Sequence, residues 1–394
     1  MKTEQFRVLM IHNYYQQWGG EDASTEQEIN LLRTYGHKVL LYSRHNDEIK
    51  SYSLWRKGLL FFETTWSWRS YREVKRIVQE YKPDIAHFQN FFPLVSPSAI
   101  YACQESGVPV VQSLRDYRLL CPTGWFFRNN GICEECRSSL WRGVKFGCYH
   151  SSHLQTMCIA LMLKVHRLLK TWSRMVDAYI ALTEFSRNKF IEGGLPESKI
   201  FIRPNFLSNI PEVRKVTGRC ALFVGRLSPE KGLDTLLEAW RKLPAVPLKI
   251  VGQGPLYKWI QEFTERFALN QIEISGFLSQ EKVLNCLSEA FFLIVPSRWY
   301  EVFPRVILEA YALGVPVIAS NLGSMAELVR DNETGLLFKA GDSEDLASKV
   351  KLAIESPTDL ARWGRRAQEI FREQYTADAA YKRLIDIYKK VSQQ

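Results

Sequence analysis

The chain contains no long hydrophobic run. Its longest, Met157–Leu163, is seven residues, against the ~20 that a helix needs to cross a bilayer. Nor does a secretory leader show: Met1–Arg7 precede only the short apolar stretch Val8–Ile11. A cytoplasmic protein is expected, peripheral at the inner face of a membrane if it meets one. Disulfides are then not expected from the eight cysteines. Acidic residues are missing altogether from Arg137–Val176, which carries seven Lys and Arg. Gly252-Gln253-Gly254 lacks the third glycine of a dinucleotide fingerprint, which argues against an NAD site. No nucleic-acid motif accompanies the positive charge, so no nucleic-acid partner is expected.

What is present is an ordinary globular composition, 46% hydrophobic and 24% charged over 394 residues, long enough for two domains. The net charge of +10 is uneven. Residues 1–210 hold 27 Lys and Arg against 19 Asp and Glu; residues 211–394 hold 25 against 23. Two stretches of the first half interleave cations with aromatic and aliphatic residues. Tyr52–Arg76 sets Trp55, Phe61, Phe62, Trp66 and Trp68 among Arg56, Lys57, Arg69 and Arg72. Thr156–Val176 places Met157, Ala160, Leu161, Lys164, Leu168 and Trp172 at helical spacing. Such helices suit an anionic membrane surface; the same pattern also serves a helix that buries its apolar face in a core.

Strand and helix alternate along the first half. Strands are expected at Val8–His12, Lys38–Tyr42, Asp84–Phe88, Val108–Leu114 and Ala178–Leu182, with helices at Ala23–Thr34, Ser96–Glu105 and Phe185–Glu192. This is the pattern of a doubly wound parallel sheet. The alternation pauses at Arg203–Thr217, which holds two prolines and no clear period. A second α/β domain follows, with strands near Cys220–Val224, Leu248–Val251, Ile272–Ser275, Phe291–Val295 and Val315–Ala319.

The most informative stretch is Cys220–Gly232. A strand ends at Gly225, and Arg226 and Lys231 follow across a turn with Ser228 and Pro229. Gly232 then opens a helix whose Leu233, Leu236, Leu237 and Trp240 share a face. Two cations beside a helix N-terminus suit an anion, with Arg as a planar fork and Lys as a mobile charge. The plain alternative is a solvated turn with Lys231 paired to Glu230. A second buried strand, Phe291–Val295, leads into Pro296–Glu301, and Pro304 marks the start of a helix running to Leu313, with Gly314 as its stop. Glu301 precedes that helix and Glu309 lies within it. The N–H groups of Val302 and Phe303 suit phosphate, and the carboxylates suit hydroxyls. Cations for phosphates and carboxylates for hydroxyls describe a nucleotide-sugar site.

Together, Gly225-Arg-Leu-Ser-Pro-Glu-Lys-Gly232 and Glu301-Val-Phe-Pro-Arg-Val-Ile-Leu-Glu309 resemble the signature of glycosyltransferase family 4, the retaining group 1 enzymes. Gly19-Gly20-Glu21-Asp22, Pro204-Asn205-Phe206, the turn Gly252–Gly254 and Ser320–Ser324 extend the resemblance over nearly the whole chain. It implies an α/β GT-B fold: two Rossmann-like doubly wound parallel-sheet domains facing across a cleft. The expected boundaries are 1–203 for the acceptor-side domain, 204–217 for a linker, 218–370 for the nucleotide-sugar domain, and 371–394 for a helix crossing back to the first domain. The resemblance implies that Arg226 and Lys231 hold the donor diphosphate, Glu301 contacts the transferred sugar and Glu309 the ribose. Gly19, Gly20, Asn205, Gly225, Gly252, Gly254, Val302 and Phe303 are expected around the donor. The donor is a UDP-, GDP- or ADP-sugar, the acceptor a glycan or a lipid-linked sugar, and catalysis needs no metal.

In two places the chain departs from the family. Where a histidine is usual near the transferred sugar, Ser113-Leu114-Arg115-Asp116-Tyr117-Arg118 carries Arg115, and a His-x-His reads His87-Phe88-Gln89. Arginine cannot act as a base at neutral pH. A catalytically impaired nucleotide-sugar-binding protein of the same fold is therefore the alternative to a transferase. Finally, Cys121, Cys133, Cys136 and Cys148 fall within an insert at about 121–150, with the spacing of a structural zinc site; free thiols are the other reading.

Overall fold

The structure is a computed structural model that describes residues 5–16, 19–208 and 218–393. The chain divides into two compact units. One takes Met1–Phe126, Cys133–Asn205 and Ala377–Gln394; the other takes Phe127–Ile132 and Phe206–Thr376. Of the expected linker, residues 209–217 lie outside the described residues.

In the first unit, strands β1 (Arg7–Tyr14), β2 (Lys38–His45), β3 (Ile85–Asn90) and β4 (Val110–Ser113) come first along the chain. A short antiparallel hairpin, β5 (Phe127–Arg128) and β6 (Gly131–Ile132), then leaves for the second unit. Strands β7 (Ala178–Ala181) and β8 (Ile200–Ile202) complete the first sheet. Its order is β2-β1-β3-β4-β7-β8, every pair parallel. Val8, Leu9, Met10 and Ile11 are all inaccessible to water. Consecutive rather than alternate burial is what a parallel strand shows when helices cover both faces. Helix Ala377–Ser392, at the end of the chain, belongs to this unit and buries Ala380, Leu384, Ile387 and Val391, its expected apolar face.

The second sheet is built from β9 (Cys220–Val224), β10 (Leu248–Val251), β11 (Ile272–Ile274), β12 (Ala290–Val295), β13 (Val317–Ser320) and β14 (Gly335–Phe338). All pairs are parallel, in the order β11-β10-β9-β12-β13-β14. Trp240, Phe292, Ile294, Phe338 and Trp363 pack its core.

The sequence pattern places β1–β4, β7 and β9–β13 and misses β8, β14 and the hairpin. These are two to four residues long. The hairpin turn has Asn129 and Asn130 at φ 53° and 57°, the left-handed pair that a two-residue hairpin turn requires. Thr156–Val176 resolves into helix His153–Leu168 and the single turn Thr171–Arg174. Among the described residues, no helix is long and apolar enough to cross a membrane.

Sheet order decides where ligands sit. In an open parallel sheet, loops on either side of the point where strand order reverses diverge and leave a crevice at the strands' carboxyl ends. In the second unit that point lies between β9 and β12. The chain leaving β9 is the Gly225–Gly232 turn, and the chain leaving β12 is the Pro296–Glu301 loop. In the first unit it lies between β1 and β3, beside the Gly19–Asp22 segment.

Candidate functional site

In the second unit the two loops lock together. Arg298 N donates to Glu230 O at 2.8 Å. Gly232, at φ 70°, passes so close to the β12 loop that a Cβ there would lie 1.9 Å from Pro296 O. A glycine is thus required at this position both by conformation and by space. On the other side, Gly225 N donates to Val251 O at 3.0 Å and Leu227 N to Gln253 O at 2.9 Å. A Cβ on Gly252 (φ 149°) would meet Gly225 O at 1.9 Å. Gly225, Gly252 and Gly254 therefore form one backbone platform beneath the cations.

Lys231 Nζ donates to Glu301 Oε1 at 2.5 Å, joining the two loops by an ion pair across 70 positions of sequence. Ser297 Oγ donates to the same oxygen at 2.7 Å. Arg226 takes the other carboxylate: its Nη2 donates to Glu230 Oε1 at 2.5 Å, and its Nε to Ser228 Oγ at 3.1 Å. The pair that the plain alternative set between Lys231 and Glu230 is thus not formed; Arg226 pairs with Glu230. Burial works against ionisation of Glu230, but the Ser228 hydrogen bond and the Arg226 charge outweigh it and hold the carboxyl below its ordinary value. Glu230 and Glu301 are buried, whereas the Arg226 side chain is 47% exposed. Each cation is matched by a carboxylate, and an arriving dianion would compete for both.

Val302 and Phe303 follow Glu301 and are buried. Helix Arg305–Ala312 begins after Pro304, which caps it rather than filling its first turn. Glu309 stands within this helix, almost wholly buried. Desolvation raises its carboxyl, opposed by the Arg305 charge one turn earlier. Among the residues foreseen from the sequence, Gly225, Arg226, Lys231, Gly252, Gly254 and Glu301 are brought together by these contacts. Ser228, Glu230 and Ser297 complete the set without having been foreseen, although Ser297 lies in the segment between β12 and Glu301.

Within the first unit, Gly19 caps helix Gly20–Thr34 in an extended conformation, and Asp22 closes the cap by accepting from Gly19 N at 3.0 Å. Asp22 also bonds the buried His12 at 2.8 Å. Arg115 is buried in a polar network. Nε donates to Gln89 Oε1 at 2.6 Å, Nη1 to Asn205 Oδ1 at 2.9 Å and Nη2 to Glu28 Oε2 at 3.2 Å. Arg203 donates to the same Glu28 oxygen at 2.8 Å, and His87 Nδ1 lies 3.1 Å from Glu28 Oε1. Asn205 and Arg115 thus meet, though far apart in sequence. The hub, Glu28, carries no local signal in the sequence: it reads as one more polar residue of an amphipathic helix.

Residues 209–370 match the family described as glycosyl transferases group 1. Over that stretch the chain is similar to the group 1 glycosyl transferases. An uncharacterized glycosyltransferase of Methanocaldococcus jannaschii is 32% identical over 171 residues, 43% of this chain and 48% of that protein. A glycogen synthase of Mycobacterium tuberculosis is 33% identical over 153 residues, 38% of this chain and 37% of the enzyme. The matches thus span about half or less of these relatives' own length. Among solved structures, a glycosyltransferase of Rickettsia africae superposes with TM-score 0.71 at 16% identity, covering 98% of each chain. Anabaena HepE in complex with UDP gives 0.69 at 18% identity, covering 98% of this chain and 100% of that one. At such identity the likeness is one of fold, and the fold is GT-B.

The cation turn lies at the reversal of strand order of its unit; the cysteine cluster lies in the other unit, and the structure gives the expected zinc site no support. Among the described residues, no group of three or more His, Cys, Asp or Glu is placed to hold a metal ion. A four-thiolate site needs all sulfurs ~2.3 Å from one point. The thiols of Cys121 and Cys136 bond each other, and Cys121 Sγ lies 3.2 Å from Thr123 Oγ1. Cys133 is fixed at the foot of the hairpin, its N–H donating to Phe126 O at 2.8 Å. The Cys136 hydrogen bond draws the Cys121 thiol down and pushes the Cys136 thiol up. No disulfide joins these cysteines.

Proposed function

We propose that the chain is a retaining family 4 transferase that moves a sugar from a nucleotide-diphosphate donor to a glycan or lipid-linked acceptor. The observation that carries this reading is the Lys231–Glu301 pair at the strand-order reversal of the second unit, with Arg226 on the same turn. HepE, alike in fold, was solved with UDP and with UDP-glucose.

In this reading the donor diphosphate draws Arg226 and Lys231 away from Glu230 and Glu301. The bond from the sugar's anomeric carbon to the phosphate oxygen breaks, and its electron pair goes to the diphosphate. The acceptor oxygen bonds that carbon on the face the leaving group departs, and the diphosphate takes the hydroxyl proton. Two fixed cations meet the developing charge, and such preorganised electrostatic stabilisation dominates catalysis of this kind. They supply what a divalent metal would otherwise supply. Glu301, released from Lys231, accepts from sugar hydroxyls, and Glu309 from the ribose. Arg115, with Nε, Nη1 and Nη2 all bonded to protein, acts as a positioning residue rather than as a base.

A panel of UDP-, GDP- and ADP-sugars tests this. One donor class is expected to raise the melting temperature, since a ligand at 100 times its Kd adds about 2.7 kcal/mol, and to be turned over. No shift with any donor would refute the reading. A shift without turnover would favour the impaired binding protein.

The acceptor side of the proposal includes an anionic bilayer. Trp55, Phe62, Trp141, Phe146 and Leu168 are at least half exposed, among the cations Lys57, Arg142, Lys145 and Lys164. Helix His153–Leu168, Phe61 and Trp141 line an apolar groove of about 720 Å³. Cations rimming exposed aromatics match a negatively charged interface. The chain should sediment with phosphatidylglycerol vesicles and not with phosphatidylcholine, and salt should release it. Absence of binding to phosphatidylglycerol at low salt would remove the membrane from the proposal.

A further inference from the structure

The connection between β4 and β7 carries a surface that the donor chemistry leaves unused. Its long helix His153–Leu168 packs against helices Leu140–Lys145 and Leu54–Glu63, and Cys158 Sγ donates to Phe61 O at 3.4 Å. The groove of about 720 Å³ opens among these helices, within the roughly 300–1,000 Å³ usual for small-molecule sites. Phe61 and Trp141 line it from the shorter helices, and Met157, Ala160, Leu161 and Leu168 from the long one. The last four stand at helical spacing and share a face. Trp141, Leu161 and Leu168 are exposed, and contiguous exposed apolar residues mark a contact surface. Lys164 and Arg167 line the same groove.

These two cations decide what the groove fits. Arg167 is half-buried, and its Nη2 donates to Leu119 O at 2.8 Å. Among the described residues, neither Arg167 nor Lys164 is paired with a carboxylate. Burial pulls the Arg167 guanidinium below its ordinary value, opposed by Cys136, yet an arginine keeps its proton at any working pH. Arg137–Val176 has no acid to supply a counter-charge. Sheltering a charge without an anion is costly, so the missing anion is to be sought outside the chain. Apolar walls beside two unmatched cations fit a molecule with a hydrocarbon chain and an anionic head.

We propose that this groove is a binding site for a single lipid phosphate, its chain lying against Phe61, Trp141 and Leu161 and its phosphate accepting from Lys164 and Arg167. Phosphate oxygens can serve both cations at once through charge-assisted hydrogen bonds. The proposal requires neither the transferase reading nor a bilayer. It differs from adsorption to a membrane surface in saturating at one lipid per chain.

Alkyl phosphates below their micelle concentration are the probes, titrated into the full chain by calorimetry. Dodecyl phosphate is expected to bind at one molecule per chain, with the negative heat-capacity change of apolar burial. Inorganic phosphate lacks the chain and dodecyl maltoside the charge, so both should bind at least tenfold more weakly. From octyl to dodecyl phosphate, affinity should rise about fourfold for each methylene buried and level off once the groove is filled. Lys164→Gln and Arg167→Gln should each weaken dodecyl phosphate about tenfold. Lys164 is exposed, so its variant should melt as the wild type does. Leu161→Trp, which fills the groove, should abolish the gain with chain length. The proposal falls if dodecyl phosphate does not bind, if dodecyl maltoside binds as tightly, or if neither charge variant weakens binding. Cations that serve only to offset the carbonyls at the helix C-terminus would give the first of these results. Binding to phosphatidylglycerol vesicles without binding of dodecyl phosphate would likewise end the single-lipid site and leave a bilayer interface alone.

Discussion

Lys231→Ala is expected to lower kcat/KM for sugar transfer by about 10²–10³-fold, equivalent to roughly 3–4 kcal/mol of transition-state stabilisation, the range seen when one preorganised charge-stabilising donor is lost from a closed site. The physical case rests on where the ammonium stands. It bridges the loops after β9 and β12 through Glu301 at 2.5 Å, and its side chain is only 21% exposed, so solvent cannot replace it cheaply. The substitution should also leave Glu301, in the free protein, held by the Ser297 hydroxyl without its counter-charge. Lys231→Arg should rescue poorly, because a planar fork does not occupy the place of a compact ammonium. Arg226→Ala should cost less, its side chain being 47% exposed. Steady-state kinetics with the preferred donor, alongside thermal melts, check this. A Lys231→Ala protein that melts normally and keeps more than a tenth of wild-type turnover would overturn the assigned role.

The second large effect concerns stability. Glu28→Ala should destabilise the first unit by about 3–5 kcal/mol, the cost of removing one partner from a buried ion pair. The Glu28 carboxylate is wholly buried and meets Arg203, Arg115, Gln89 and His87 within 3.2 Å. Without it, two buried guanidiniums lose their counter-charge. The same hub fixes a pH dependence. Desolvation alone would raise the Glu28 carboxyl, but the charges of Arg203, His87 and Arg115 bring it down to about 2. A depressed carboxyl contributes stability that is complete above its unfolded value near 4.5 and is lost as pH falls toward 2, about 3 kcal/mol in all. His87 is lowered to about 4 by burial. Its neutral form is favoured in the fold, so stability also falls between about pH 6.5 and 4, where the unfolded chain gains a proton that the native state refuses. Denaturant titrations at neutral, mildly acid and strongly acid pH should show both losses in the wild type, with the more acidic one absent in Glu28→Ala. A variant within 1 kcal/mol of wild type at neutral pH would remove Glu28 from this role.

These two predictions differ in how their residues can be found. Lys231 and Glu301 sit in local patterns: a strand, a glycine, cations at short spacing, then a helix. Such signals arise from neighbours in the chain and are readable without a fold. Glu28 and Arg203 are 175 positions apart, and nothing in either neighbourhood marks the other. Arg115 was visible only as a departure from a family pattern. Its burial against Glu28, Gln89 and Asn205 makes sense of it: a guanidinium, unlike a histidine, can serve three acceptors at once. The cysteines are the reverse case. Their spacing has the form of a zinc site, but spacing constrains only chain length; in the fold Cys121 and Cys136 are buried and bond each other, while Cys133 is only half-buried at the foot of the hairpin.

By itself, the sequence determined the alternation of strands and helices, the glycine turn with its two cations, and the carboxylates that flank the helix beginning at Arg305, because each follows from residues close together in the chain. The tertiary structure alone decided which cation meets which carboxylate, that Glu28 is the charge on which the first unit turns, and that Phe61, Trp141 and helix His153–Leu168 share a groove. The reason is the order of strands. Parallel crossovers bring loops together from distant stretches, and the partners they choose depend on sheet topology rather than on any local pattern.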